Sequence, residues 1–124
     1  MIHLGLYFFS AAILIGWGIA HVIPTTKVVN GFGAISEDSR RIITMEWVIE
    51  GAALIFIGGL VALVTVVDRS APVAVALYLA SSVMLNALSV ISLFTGSKIR
   101  FWPFRLCPVI FTGSSVLLLL AMYA

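Results

Sequence analysis

The sequence predicts an all-α integral membrane protein, a bundle of four transmembrane helices. Of its 124 residues, 62% are hydrophobic and 10% are charged, and the mean hydropathy is +1.20. A soluble domain is about 45–50% apolar and about 25% charged. The apolar residues also fall into four runs, each near the roughly 20 residues that a helix needs to cross a bilayer. These observations exclude a soluble globular enzyme and a disordered chain.

Local signals mark the ends of the four runs. Pro24 closes the first run, because proline disfavours helix at the residue before it. A charged turn at residues 68–70 ends the second run, and the third opens just after Pro72, a residue tolerated in a first helical turn. The runs do not alternate in polarity as barrel strands do. The predicted helices are about 2–23, 44–67, 73–95 and 106–123, within a single domain of residues 1–124.

The connections between the runs are short, at residues 24–43, 68–72 and 96–105. Short loops make consecutive helices antiparallel neighbours, so we expect up-down-up-down topology. Ser36 is followed by two acidic residues, which is typical of a helix N-cap with acids in the first turn. The second helix is therefore predicted to extend outward from the membrane, with Glu37 and Arg41 paired one turn apart.

Lysine and arginine are distributed unequally between the two sides of the predicted bundle. Six of them lie in two of the connections, namely Lys27, Arg40, Arg41, Lys98, Arg100 and Arg105, and Arg69 alone lies in the other. By the positive-inside rule, connections 24–43 and 96–105 face the cytoplasm of a plasma or inner membrane, and both termini lie outside. The basic residues are split between two juxtamembrane loops and mixed with acids, so no nucleic-acid binding is predicted.

Small residues at a spacing of four predict where helices pack in a membrane. Such stripes are Ala12, Gly16 and Ala20 in the first helix, Gly58 and Ala62 in the second, and Ser82, Asn86 and Ser89 in the third. The stripes favour contacts within the bundle or between copies. Alternatively, Asn86 and its two serine neighbours line a ligand cavity. Because four helices enclose little interior, we expect a homo-oligomer or a larger membrane partner, in addition to the lipid bilayer.

The ionisable residues nearest to the membrane core meet at one predicted end of the bundle. His21 lies near the cytoplasmic end of the first helix, and Glu46 and Glu50 lie one turn apart near the start of the second. Trp17 precedes His21 by the same spacing. One interpretation is a solvated interface, with the histidine interacting favourably with the helix dipole. The functional interpretations are proton transfer, a divalent metal, or a polar or cationic ligand beside Trp17 and Trp47.

Two glutamates one turn apart are a common pattern, and with His21 they do not make a complete set of metal ligands. No metal is therefore predicted, and the cofactor stays open. Cys107 is the single cysteine of the chain, which excludes an intrachain disulfide. The simplest interpretation of Cys107 is a reduced, buried packing residue at the cytoplasmic start of the fourth helix.

Two short motifs resemble those of DoxX-like proteins, a family of small four-helix membrane proteins. They are Gly18-Ile-Ala-His21-Val-Ile-Pro24 at the end of the first helix and Glu50-Gly51-Ala-Ala-Leu54 in the second. The resemblance implies a membrane subunit associated with redox or quinone chemistry. We therefore expect an accessory or ligand-binding subunit with a cytoplasm-facing cluster of histidine and glutamate.

Two other functions fit the sequence. The first alternative is a homo-oligomeric, proton-coupled transporter of small molecules, in which Glu50 titrates. The second is a membrane enzyme acting on a lipid or a quinone. For the enzyme, no nucleophile–base pair and no complete metal-ligand set can be assembled from the sequence, so the expectation leans towards a protein that is not an enzyme.

Overall fold

In a computed structural model of the protein, the structure is described for residues 1–123. Within these residues the secondary structure is entirely helical, without strands. The elements are α1 (Ile2–Val22), α2 (Thr25–Asn30), α3 (Glu37–Asp68), α4 (Pro72–Phe94), a 3₁₀ turn (Gly96–Lys98) and α5 (Trp102–Tyr123). In the described part of the chain, α1, α3, α4 together with its 3₁₀ turn, and α5 are long and apolar enough to cross a membrane. The all-α prediction with four such helices is confirmed.

The helix ends agree with the sequence prediction where the local signal is strong. α1 and α4 end within one residue of their predicted limits, and α4 begins with Pro72 in its first turn. α3 begins at Glu37, where the Ser36 hydroxyl caps it by accepting the Ser39 backbone N–H at 3.1 Å. α3 thus begins seven residues before the predicted run 44–67, at the cap that the sequence indicated.

Two boundaries differ from the prediction. The connection 24–43 contains the short helix α2, which the sequence did not predict. The fourth helix begins at Trp102, four residues before the predicted start at 106. Hydropathy detects only the apolar part of a helix, and the first turn of α5 contains the charged Arg105. Pro103 is compatible with this turn, since a first-turn proline has no helical hydrogen-bond partner to lose.

The helices enclose one buried core, in which α1 packs most extensively against α3 and also against α5, while α4 packs mainly on α5. Tyr7 and Tyr78 stack with ring centroids 4.4 Å apart. The Tyr78 hydroxyl contacts the Thr65 hydroxyl at 2.8 Å, which links α4 to α3. The Ser10 hydroxyl donates to a backbone carbonyl of α5 at 3.0 Å. Such interhelical hydrogen bonds stabilise helix pairs where water is scarce.

Large apolar side chains cover the outer surface of the bundle. Phe56 is 64% exposed, Val66 is 71% exposed and Val83 is 70% exposed. A soluble monomer rarely exposes a continuous apolar surface of this kind. Lipid tails would cover these side chains at no cost, so the outer surface supports a membrane protein.

Glycine brings α1 and α3 into close contact at two levels. A Cβ added to Gly18 would lie 2.6 Å from the Gly51 carbonyl oxygen, and one added to Gly58 would lie 2.8 Å from the Ala11 carbonyl oxygen. The face of α1 that packs here includes Ala11, Leu14 and Gly18. The stripe of Ala12, Gly16 and Ala20 is exposed instead. The small-residue stripe of α3 therefore packs within the bundle, whereas that of α1 does not, and a contact of the α1 stripe with another copy stays a prediction.

Candidate functional site

The candidate site lies where the end of α1 meets α3 and α5, and His21 is its most buried polar residue. Its exposed fraction is 4%, and its Nδ1 lies 3.3 Å from the Trp17 carbonyl oxygen one turn earlier. A carbonyl oxygen can only accept, so this contact assigns the proton of a neutral imidazole to Nδ1. Nε2 then presents a lone pair to the site.

Trp47 of α3 holds the other side of His21. Its ring stacks on the imidazole with centroids 4.4 Å apart and planes inclined by 22°. Its indole N–H also donates to the His21 backbone carbonyl. This carbonyl belongs to the last turn of α1, where the backbone lacks helical partners. Trp47 therefore gives a hydrogen-bond partner to a backbone carbonyl at the end of α1, and it also fixes the plane of the imidazole.

Glu50 approaches His21 from the same face of α3. One carboxylate oxygen, Oε1, lies 3.6 Å from His21 Nε2, and the Glu50 side chain is 37% exposed. The approach depends on the glycine contact, because a Cβ at Gly51 would lie 3.1 Å from the His21 Cβ. His21 and Glu50, two of the candidate residues from the sequence, therefore lie close together. The sequence predicted that they meet where the first long helix ends and the second begins.

The third member of the site is Cys107 of α5. His21, Glu50 and Cys107 each offer one ligand atom, and these three atoms lie within 4.8 Å of one another. The thiol is buried and lies 3.6 Å from the Pro103 carbonyl oxygen. The sequence interpretation treated Cys107 as a packing residue. Its place in the site could have been inferred from its predicted position, because the cytoplasmic start of the fourth helix lies at the same end of the bundle as His21.

The other candidate residues from the sequence are Glu46, Asn86 and Trp17. Glu46 is exposed on α3 and is absent from the ion pairs formed within residues 1–123. The Asn86 amide donates to the Ser82 carbonyl at 2.8 Å and to the Ser115 hydroxyl at 2.7 Å, which joins α4 to α5. Trp17 contacts the imidazole edge-on, with centroids 5.8 Å apart.

A cavity of about 770 Å³ opens beside His21. Its walls come from the end of α1, from α2 and the residues beside it, from one residue of α3 and from residues 99 and 101–104 at the start of α5. They are mostly aromatic or aliphatic. The lining aromatic residues are Trp17, Phe32, Trp47, Phe101, Trp102 and Phe104. Lys27 is its one charged lining residue among those described, apart from the titratable His21. Connections 24–43 and 96–105 therefore meet at one end of the bundle, which is consistent with their shared side in the sequence prediction.

A smaller cavity of about 250 Å³ also borders His21. His21, Glu50 and Cys107 all line it, together with Ser92 and Thr95 near the end of α4. More of its lining residues are polar than those of the large cavity. His21 and Phe104 line both cavities, whereas Glu50 and Cys107 line only the small one.

Comparison with known proteins gives no match to a family model, to a curated protein or to a solved structure. The similarity to DoxX-like proteins thus stays a prediction from two short motifs. A helical bundle is compatible with many activities, so the function depends on the residues of the site and their chemistry.

Proposed function

We propose that the four long helices form an up-down-up-down bundle embedded in a plasma or inner membrane. The exposed apolar side chains of the bundle support insertion. The bias of lysine and arginine supports an orientation with connections 24–43 and 96–105 in the cytoplasm and both termini outside. In this orientation the candidate site faces the cytoplasm.

We further propose that the protein is a ligand-binding membrane subunit, similar to DoxX-like proteins, that binds a flat and mostly apolar ring compound of the quinone class. The observation that carries this proposal is the aromatic cavity of about 770 Å³ beside His21. Aromatic walls favour a flat ring through stacking. Drug-sized ligands bind in cavities of about 300–1,000 Å³ with mostly apolar walls and a few polar groups.

Polar groups of the cavity fit a ring that carries carbonyl oxygens. The indole N–H of Trp17 is buried without a hydrogen-bond partner within residues 1–123, and it lies near the Cys107 thiol, which does not line the large cavity. Lys27 does line the large cavity and supplies a charged donor there. A ring carbonyl can accept a hydrogen bond from its ammonium group. The proposed ligand would thus stack on the tryptophans and accept a hydrogen bond at its carbonyl.

Tryptophan fluorescence tests this proposal directly. The chain has three tryptophans, and Trp17, Trp47 and Trp102 all line the cavity. We expect menadione, a naphthoquinone without a long tail, to quench the fluorescence of purified protein saturably and with a stoichiometry near one. Free tryptophan amide in the same detergent corrects for absorption by the quinone.

Two alanines of α1 provide a matched pair of variants. Ala20 lines the cavity, whereas Ala12 is exposed on the same stripe two turns earlier. Ala20→Phe should fill part of the cavity and weaken menadione binding by about tenfold or more, a change of at least about 1.4 kcal/mol. Ala12→Phe should leave the binding unchanged. Quenching that never saturates, or that responds equally to both variants, would contradict the proposal.

The second candidate function is proton-coupled transport by a homo-oligomer. It is favoured by the contact between the buried His21 and the partly exposed Glu50, because such a pair can transfer a proton between solvent and the bundle interior. Reconstituted vesicles should then take up substrate under a proton gradient, and Glu50→Gln should abolish the gradient dependence while Glu46→Gln should not. Uptake that does not depend on the proton gradient would exclude proton-coupled transport.

A further inference from the structure

Three side chains with different metal-ligand chemistry meet on three helices, at the small cavity rather than in the aromatic one. His21 comes from α1, Glu50 from α3 and Cys107 from α5, and their ligand atoms lie within 4.8 Å of one another. These residues are separated widely in the sequence, so only the fold brings them together. We refer to them as the His21–Glu50–Cys107 cluster.

The unpaired nitrogen of His21 indicates what the cluster requires. Nδ1 donates to the Trp17 carbonyl, and Nε2 is buried without a hydrogen-bond partner among the described residues. The nearest charged atom is Glu50 Oε1 at 3.6 Å. The lone pair of Nε2 and the carboxylate oxygen therefore face each other, with the imidazole buried and the carboxylate partly exposed. A cation between them would bind both atoms.

We propose that the His21–Glu50–Cys107 cluster binds a single divalent metal ion of the zinc class. Zinc binds imidazole nitrogen, carboxylate oxygen and thiolate sulfur, commonly with tetrahedral geometry. Bonds of about 2.0–2.3 Å place tetrahedral ligand atoms about 3.3–3.8 Å apart. The histidine–glutamate distance of 3.6 Å already lies in this range. The thiol would have to approach by about an ångström at most, which a rotation of its side chain can supply.

The surroundings of the cluster match those of zinc sites. A metal-binding histidine usually donates its other ring N–H to a carboxylate or a backbone carbonyl, as Nδ1 does here to Trp17. The stacked ring of Trp47 further restricts the imidazole. On binding, the Cys107 thiol releases its proton to solvent, and the thiolate and the carboxylate together neutralise the dication. A neutral site is far less costly in a membrane interior than an isolated ion.

Three protein ligands leave one tetrahedral position open. All three members of the cluster line the small cavity of about 250 Å³. This volume can hold a water molecule as the fourth ligand, because a water occupies about 30 Å³ of liquid. Ser92 and Thr95 line the same cavity and offer hydroxyl groups to that water. An open position of this kind is typical of zinc sites that exchange ligands rather than of closed structural sites.

The test uses the metal alone, so it is independent of quinone binding. Purified protein is stripped with a chelator, and binding of Zn²⁺ is measured by competition with a chromogenic chelator. We expect one ion per chain. Glu50→Gln and Cys107→Ser preserve side-chain size, and each should weaken binding by more than about 100-fold, since even changes to groups behind the ligands cost about 10–100-fold.

Glu46→Gln is the matched control, because it removes the same charge from an exposed site one turn away on α3 and should leave the affinity unchanged. Co²⁺ provides a second readout, since a thiolate ligand gives a charge-transfer absorption that Cys107→Ser should abolish. Circular dichroism and gel filtration establish that each variant folds. The proposal is overturned if Zn²⁺ does not bind stoichiometrically, if the two ligand variants bind as the parent does, or if the Co²⁺ complex lacks the thiolate band.

Discussion

Two adjacent glycines in α3 should respond to the same substitution in opposite directions. A Cβ at Gly58 would lie 2.8 Å from the Ala11 carbonyl oxygen and 3.2 Å from the Ile15 backbone nitrogen. A Cβ at Gly59 would meet no atom of the described chain within 4 Å. Gly58→Ala therefore forces two backbones apart, whereas Gly59→Ala adds a methyl group to an open surface.

The magnitude of each effect follows from these contacts. Overpacking of a tight contact costs about 1–3 kcal/mol, and a backbone contact can give way only by moving a whole helix. Replacing glycine with alanine inside a helix contributes about 0.5–1 kcal/mol in the favourable direction. We expect Gly58→Ala to destabilise the bundle by about 1–2 kcal/mol and Gly59→Ala to stabilise it by up to about 1 kcal/mol.

The assay is equilibrium unfolding in mixed micelles, in which sodium dodecyl sulfate is titrated into a mild detergent and the helix signal is followed by circular dichroism. The deciding measurement is the difference in unfolding free energy between the two variants, which should be about 1–3 kcal/mol. If both variants unfold together, or if Gly58→Ala is the more stable, the close contact of α1 with α3 does not exist in the protein and the position of His21 relative to Glu50 has to be reconsidered.

Two further substitutions test the core and a helix end. Tyr78→Phe removes the buried hydroxyl that contacts Thr65. In the same titration it should lower the unfolding free energy by about 0.5–1.5 kcal/mol. Tyr123→Phe is the control and should have no effect, because Tyr123 is 76% exposed. Ser36→Ala removes the N-cap of α3 at a cost of about 0.5–2 kcal/mol. Hydrogen exchange of the first turn of α3 should accelerate, and unchanged protection there would argue against the cap.

The features that the sequence predicts well are those set by neighbouring residues. The first helix ends before Pro24, the third begins at Pro72 and the second is capped by Ser36, because each of these side chains acts on its own backbone. α2 was missed because its six residues include threonine and valine, which have low helix propensity. Its only apolar residues are two adjacent valines, which are too few to distinguish a helix from a loop.

The features that the sequence predicts poorly depend on which helices touch. Both faces of the first helix carry small residues, so residue size alone did not separate the exposed Gly16 from the contacting Gly18. The meeting of His21 and Glu50 was predictable, because a connection of 20 residues joins their helix ends on one side. The place of Cys107 beside His21 did not follow from the sequence in the same way. It requires that α5 packs against α1, which the order of helices along the chain does not determine.

The close contact of α1 with α3 connects the stability of the bundle to the chemistry of its site. Gly51 lies next to both the Gly18 carbonyl and the His21 Cβ, so the distance between the two helices also sets the distance from the imidazole to Glu50. Trp47 then holds the imidazole by stacking and by its bond to the end of α1. A chain with so few charges places a buried histidine, a carboxylate and a thiol together beside one of the two close contacts of α1 with α3. Because rigid helices support ligand geometry better than loops do, this arrangement favours a built site over a chance meeting of side chains.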